Sequence, residues 1–241
     1  MNLFLDAIAW LFAGAPGAGL DPIPVALAQH LAYTFVSVLI AALIAIPIGW
    51  AIGHSGKGRD IAVAVSGAAR AVPSFGLLLL LVLLLGVLHK PEAAIITFVL
   101  LGVPSILAGA YTGFEAIDRR VIDAGRSMGM TGWQVLWRIE VPLGLPLLVA
   151  GLRSAVLQVV ATVTLAAYVN LGGLGQYIIT GLPLRKLDWV LGGAILVAVL
   201  ALVLDGVFAI LQRLSVSRGV SGRSRVRRRG RALAPITPLA S

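Results

Sequence analysis

Cysteine is absent from the 241 residues, which excludes disulfides and thiolate chemistry. Charge is scarce: Asp, Glu, Lys and Arg together make up 12% of positions, about half the share usual in a soluble domain. Aromatic residues are few, at 7%. No cage for a cationic ligand can be assembled from Tyr33, Tyr111, Tyr168 or Tyr177 by sequence alone. Catalytic signatures are missing as well. His30, His54 and His89 are isolated near span ends, where interfacial positions suit them, and no HExxH pair is present. GHSGK at 53–57 lacks the second glycine of a nucleophile elbow. It also lacks the Ser or Thr, and the leading glycine, of a phosphate loop. No carboxylate pair stands within an apolar run, and no metal site is indicated. A membrane-embedded enzyme is therefore disfavoured. Residues 1–30 contain neither Lys nor Arg, and Asp6 falls inside their apolar run. MNLFLDAIAWLFAGAPGAG thus lacks the basic start of a secretory signal and is expected to be a retained, extracytoplasmic or interfacial segment.

What is present is apolar. Hydrophobic residues fill 59% of the chain, in runs of about twenty rather than short alternating stretches, the pattern of an all-α polytopic membrane protein. LLLLLVLLLGVL at 77–88 has no polar face at all, which excludes an ordinary amphipathic surface helix. Breaks divide the sequence into five expected spans at about 31–52, 72–88, 93–113, 146–169 and 190–211. The first, 22 residues at 1.5 Å each, reaches about 33 Å, enough to cross a bilayer. Pro47 should kink it near its end, Pro73 should set off a separate bend before the second, and Pro104 should interrupt the third.

The formal charge of +9 is a property of the C-terminus. Arg213, Arg218, Arg223, Arg225, Arg227, Arg228, Arg229 and Arg231 account for eight of the 19 Lys and Arg, leaving 11 against 10 acidic residues. Residues 213–241 therefore read as a disordered cytoplasmic tail that meets anionic lipid, not as a nucleic-acid binder. Lys57, Arg59, Arg119, Arg120, Arg126 and Arg138 follow the first and third spans, and the tail follows the fifth. The positive-inside rule places all three regions in the cytoplasm, giving an N-out, C-in topology. Within the spans, Arg153 and Asp205 both lie about 12–15 Å from the cytoplasmic boundary, so an intramembrane ion pair is a candidate, with snorkelling of Arg153 as the alternative. Gly49 with Gly53, and Gly109 with Gly113, have the spacing of close helix contacts, a weak signal in a chain holding 28 glycines.

One cytoplasmic stretch, DAGRSMGMTGWQVLWRIEVP at 123–142, is polar and dotted with glycine. Ile117, Val121, Gly125 and Met128 recur at helical spacing, giving one apolar or small face. Gly129 then permits a turn or a close approach. Thr131 and Gln134 form a T-x-x-Q capping box for a second short helix. That helix shows Trp133, Leu136 and Trp137 on one face and is expected to end at Pro142. Polarity and amphipathicity alone leave a membrane-surface helix and a docking helix level. The spacing, however, resembles the cytoplasmic signature of the inner-membrane permeases of bacterial ABC importers: EAA, three residues, G, nine residues, I, one residue, LP. Here Asp123-Ala124-Gly125 is followed after three residues by Gly129, after nine more by Ile139, and then by Glu140, Val141 and Pro142. Asp for Glu, Gly for Ala and Val for Leu are departures. RAVPSFGLLLLL from Arg70, AYTGFEAID from Ala110, VPLGLPLLVAGLRSA from Val141 and NLGGLGQYIITGL from Asn170 resemble the branch that carries glycine betaine, choline and related osmoprotectants.

The resemblance implies a type I importer permease fold over residues 31–212, with a coupling region at 115–142. It implies that Asp123, Ala124, Gly125, Gly129, Ile139, Val141 and Pro142 belong to the element that docks on a separate ATPase, ATP and magnesium residing on that partner. It further implies an extracytoplasmic substrate-binding protein, a second permease subunit in a homodimer or heterodimer, and a place in a bacterial inner membrane. Trp133 and Trp137 are then free to pack on the spans instead. The rivals are a permease of the same architecture for another small solute such as methionine, and a passive channel or membrane scaffold.

Overall fold

The computed structural model describes residues 2–13 and 19–216, and every described element is helical. The expected disorder of the basic tail concerns residues that, beyond 216, lie outside this description. Helices are α1 (Leu3–Ala13), α2 (Ile23–Ser55), α3 (Arg59–Ala71), α4 (Ser74–Leu85), α5 (Lys90–Glu115), α6 (Arg119–Ser127), α7 (Gly132–Val135), α8 (Val141–Val163), α9 (Gly175–Gly181) and α10 (Leu187–Leu214). Four helical segments, Ile23–Ser55, Val87–Glu115, Gly132–Val169 and Leu187–Leu214, are long and apolar enough to cross a membrane, and α3 with α4 makes a fifth if the bent pair is one span.

Several boundaries differ from those expected, each for a local reason. The helix that holds the first expected span begins at Ile23, ahead of residue 31, because Pro24 in the first turn needs no donor partner there and starts the helix early. α2 runs on through Pro47, where a kink and not a break was expected, and α5 runs on through Pro104, where an interruption was expected. In lipid the lost backbone bond is tolerated when neighbouring helices enclose the site, and Pro104 is buried in this way. Pro73 does break the chain. Val72 is forced into the extended region by the proline that follows (φ −72°, ψ 126°), and α3 and α4 meet at 84°. The 12 residues of α4 rise only about 18 Å, so the second expected span is a short helix set on an amphipathic one. Pro142 does not end the short helix that opens at Gly132: a π-helical turn, Leu136–Glu140, carries α7 into α8. The Val141 N–H bonds back to the Leu136 carbonyl five residues earlier. That wider turn makes room for the proline ring and for the carbonyl it leaves unpaired.

α5 lies at the centre, between α2 and α8, with α3 and α4 also against it; α10 covers α8 and receives α1 and α9. Small residues set these distances. A Cβ on Gly49 would stand 2.5 Å from Ala110 Cβ, and one on Gly53 2.9 Å from Phe114 Cβ. On the other side of α5, a Cβ on Gly109 would meet the Leu147 carbonyl oxygen at 2.7 Å, and one on Gly113 the Gly144 carbonyl oxygen at 2.7 Å. Both glycine spacings are therefore real backbone contacts, where dispersion takes the place of the hydrophobic drive.

His30 is fully buried, not interfacial. Its Nε2 is 3.1 Å from the Val160 carbonyl oxygen, and the Leu174 N–H donates to its Nδ1 at 3.3 Å. A carbonyl only accepts and an amide only donates, so the ring carries its single proton on Nε2. Beside it the Gly173 N–H donates to Gln29 Oε1 at 2.8 Å, and the Tyr177 hydroxyl donates to the Asp21 carbonyl oxygen at 2.7 Å. Burial holds the Tyr177 phenol above the usual tyrosine range, so its hydroxyl keeps the proton it donates. Trp10 of α1 closes this end against Tyr177 and Trp189.

Candidate functional site

At the opposite end from α1, the segment 115–142 forms a bracket under the spans. α6 starts on Asp118, whose side chain accepts the Arg120 N–H at 3.0 Å. It stops in a left-handed turn: Gly129 has φ 83°, its N–H bonds the Arg126 carbonyl at 2.9 Å, and the Met130 N–H bonds the Gly125 carbonyl at 3.2 Å. Those two bonds are a Schellman cap. A Cβ at Gly129 would meet nothing, so the position requires glycine for its backbone angle and not for space. The capping box then opens α7, with the Thr131 N–H donating to Gln134 Oε1 at 2.9 Å and the Gln134 N–H donating to Thr131 Oγ1 at 3.3 Å.

Gly125 is the sole buried residue of α6. Its would-be Cβ stands 2.6 Å from Ile139 Cδ1 and 3.3 Å from Met130 Sδ, so fourteen positions of sequence close into one contact. Asp123 and Ala124 are exposed beside it. Ile139, Val141 and Pro142 are half-buried; they join the bracket to α8 rather than presenting a surface. Of the seven residues singled out by spacing, Gly125 and Ile139 touch, Gly129 shapes the turn, and Asp123 and Ala124 remain free at the surface.

The bracket is fastened to the spans by groups that sequence reading missed. Glu140 is 3% exposed, and His54 Nδ1 at the end of α2 lies 2.5 Å from its Oε2. A carboxylate buried this far needs such a partner, and a lone Glu beside apolar neighbours and proline was the available signal. Trp133 packs edge-on to Trp137, Trp137 edge-on to Trp50 of α2, and Trp50 stacks on Phe114 of α5, with centroids 5.6, 5.7 and 6.1 Å apart. Trp137 thus packs on the spans, while Trp133 stays 69% exposed. Between bracket and helix ends lies a cleft of about 710 Å³ lined by His54, Arg59, Glu115, Arg119, Asp123 and Arg126, among others. Arg59 reaches Glu115 across its rim at 3.5 Å.

Arg153 and Asp205 lie well above this cleft. Arg153 Nε is 2.6 Å from Asp205 Oδ1 and Nη2 is 2.7 Å from Oδ2, two parallel bonds that tie α8 to α10.

A bundle of helices long and apolar enough to cross a membrane, with a polar bracket at one end, is the architecture of a membrane transport component. The chain belongs to the family of binding-protein-dependent transport system inner membrane components, whose model matches residues 45–218. It is 32% identical over 198 residues to the glycine betaine/carnitine/choline transport system permease protein OpuCB of Bacillus subtilis, covering 82% of this chain and 90% of the relative. It is 36% identical over 177 residues to the carnitine transport permease protein OpuCB of Listeria monocytogenes, covering 73% and 80%. Its fold is similar to that of the MetNI methionine ABC transporter in an inward-facing conformation, with a TM-score of 0.70 at 21% identity over 87% of this chain and 98% of that one. At that identity the likeness speaks for a type I importer permease fold and not for the solute. The chain is thus an inner-membrane component of a binding-protein-dependent transport system.

Proposed function

We propose that this chain is the permease of an ABC importer for glycine betaine, choline, carnitine or a similar quaternary-ammonium osmoprotectant. The cargo rests on the relatives named for those solutes, which match most of both chains. The coupling role rests on one observation above all: Asp123 and Ala124 are exposed on a capped helix whose next residue, Gly125, is locked against Ile139. A rigid element of that kind transmits a push as a rigid body. A separate ATPase docks on Asp123, Ala124, Gly125 and Gly129, with Ile139, Val141 and Pro142 passing the motion into α8. ATP and magnesium bind to that partner.

The N-terminus faces out and the C-terminus in. Arg59, Arg119, Arg120, Arg126 and Arg138 all gather at the bracket end, as the positive-inside rule requires of a cytoplasmic face. Residues 31–212 form the transport domain, extended at its outer end by α1 and the start of α2. A second permease subunit completes the route, and an extracytoplasmic binding protein delivers solute to it. Uptake of labelled glycine betaine, carnitine and choline into proteoliposomes holding the co-purified complex tests the reading. Uptake should need both ATP and the binding protein. Solute flux without nucleotide would instead mean a channel, and saturable ATP-driven uptake of methionine alone would replace the cargo.

A further inference from the structure

Glu140 lies five positions after Val135, and in an unbroken α-helix it would point about 140° away from it. Both side chains are nevertheless buried. The π-helical turn Leu136–Glu140 reconciles them. Its hydrogen bonds close over five residues instead of four, so one turn brings Glu140 back toward the face that Val135 holds. The turn therefore does more than seat Pro142: it aims a carboxylate at the end of α2. His54 receives it there. A carboxylate only accepts, so His54 Nδ1 carries a proton and donates to Glu140 Oε2, 2.5 Å away. On the other side of the ring, a Cβ on Gly132 of α7 would stand 3.8 Å from Nε2. The other charged groups lining the cleft are Arg59, Glu115, Arg119, Asp123 and Arg126. Among the described residues Arg59 pairs with Glu115, and His54 is the sole ionic partner of Glu140. Breaking that pair would strand a buried carboxylate without a counterion, which is far costlier than losing an exposed pair. Trp50, one turn before His54, packs edge-on to Trp137 of the same π turn. The far end of α2 is held as well, where Gln29 and His30 accept the Gly173 and Leu174 N–H groups.

We infer that His54 and Glu140 form a positioning joint that stays closed through the transport cycle, so that the bracket moves α2 together with α8 and not α8 alone. α8 continues the backbone of the bracket, whereas α2 meets it through side chains, and this pair is the buried tie. α2 is 33 residues long, and as a rigid body it carries a displacement from the bracket to the segment at Gly173. Without the joint the bracket and α8 slide past α2, and ATP hydrolysis continues with less solute moved. The inference rests on the coupling reading above and adds a second helix on which the bracket acts.

The test uses equal amounts of the complete transporter in proteoliposomes. ATP hydrolysis is followed beside ATP-driven uptake of whichever of labelled glycine betaine, carnitine and choline is carried best. His54→Leu removes the donor and should lower uptake about fivefold while hydrolysis stays within about twofold. His54→Asn places an amide N–H where Nδ1 stands and should recover most of the loss. A further arm exploits the absence of cysteine from the chain. The double variant His54→Cys with Glu140→Cys should transport as poorly as His54→Leu. Bridging its two thiols with a short bifunctional reagent should restore uptake to within about twofold of wild type treated the same way, because a joint that never opens works equally well when covalent. The joint is refuted if bridging fails to restore uptake, or if His54→Leu and His54→Asn behave alike. It is also refuted if His54→Leu lowers uptake and hydrolysis in step, as a loss of folded protein would. Wild-type uptake that needs no ATP overturns the coupling reading itself.

Discussion

Gly125 has no side chain because Ile139 Cδ1 already fills the space a Cβ would take, at 2.6 Å. The obstacle is the tip of a flexible side chain, so the clash can be relieved from the other side. Gly125→Ala is expected to lower ATP-driven uptake about threefold or more, and adding Ile139→Val, which removes Cδ1, should restore it to within about twofold. Uptake by the double variant below that of Gly125→Ala would show that this contact is not what couples the bracket to α8. Arg153 and Asp205 act as a unit of another kind, a two-bonded pair one-third exposed at either end. Reversing both charges should preserve more of the folded, inserted protein than either single reversal does, measured as monodisperse yield in detergent. At this scale the sequence was partly legible. Depth counting placed Arg153 opposite Asp205, and spacing drew attention to Gly125. It could not find Glu140 with His54, since 86 positions separate them and nothing local links a carboxylate to a histidine in another helix.

Elements are governed by their ends. α6 and α7 were legible as two short helices because capping is a local transaction: Thr131 and Gln134 lie three residues apart and bond each other's backbone whatever surrounds them. Gly129 was recognisable as a break for the same reason, although the sequence left open whether it served a turn or a close contact. The φ of 83° with open space around it decides for the turn. A β-branched residue there should be far worse than one that tolerates the left-handed region. Gly129→Val is expected to cost about 1–2 kcal/mol in that turn and to weaken ATPase co-purification several-fold, while Gly129→Asn stays near the wild type. Equal pull-down by the two variants would assign the glycine another purpose. Proline was the least legible signal. Pro47, Pro104 and Pro142 all sit within continuous helical segments, whereas Pro73 makes a sharp bend. The difference lies in what surrounds each one, and a sequence states only the missing donor.

Across the whole molecule, α5 is held by two opposite faces. Gly49 and Gly53 bring α2 to one, and Gly109 and Gly113 meet Gly151 and Gly144 of α8 on the other. A Cβ on Gly151 would stand 2.8 Å from the Ser105 carbonyl oxygen and 2.9 Å from Gly109 Cα, and backbone cannot swing aside as a side chain can. Gly151→Val should therefore force α5 and α8 apart and abolish recovery of folded protein, at a cost of roughly 3 kcal/mol or more. Normal yield and normal uptake from that variant would mean that the two helices are not packed in this register. The apolar surface left outside this spine, on α2, α4 and α10, suits the lipid of the membrane.

The sequence by itself determined that the chain is helical and built for a membrane, which end is basic, and where the bracket and its caps lie. Those properties follow from hydropathy runs, charge counts and contacts within a few residues, all of which are written along the chain. Tertiary structure alone decided that the helical segments run on through Pro104 and Pro142, that His30 is a buried clamp and Glu140 a buried anchor, and that Arg70 reaches Ser105 of α5. Each of those depends on which atoms from distant positions surround a group, and burial in that sense exists only once the helices have packed.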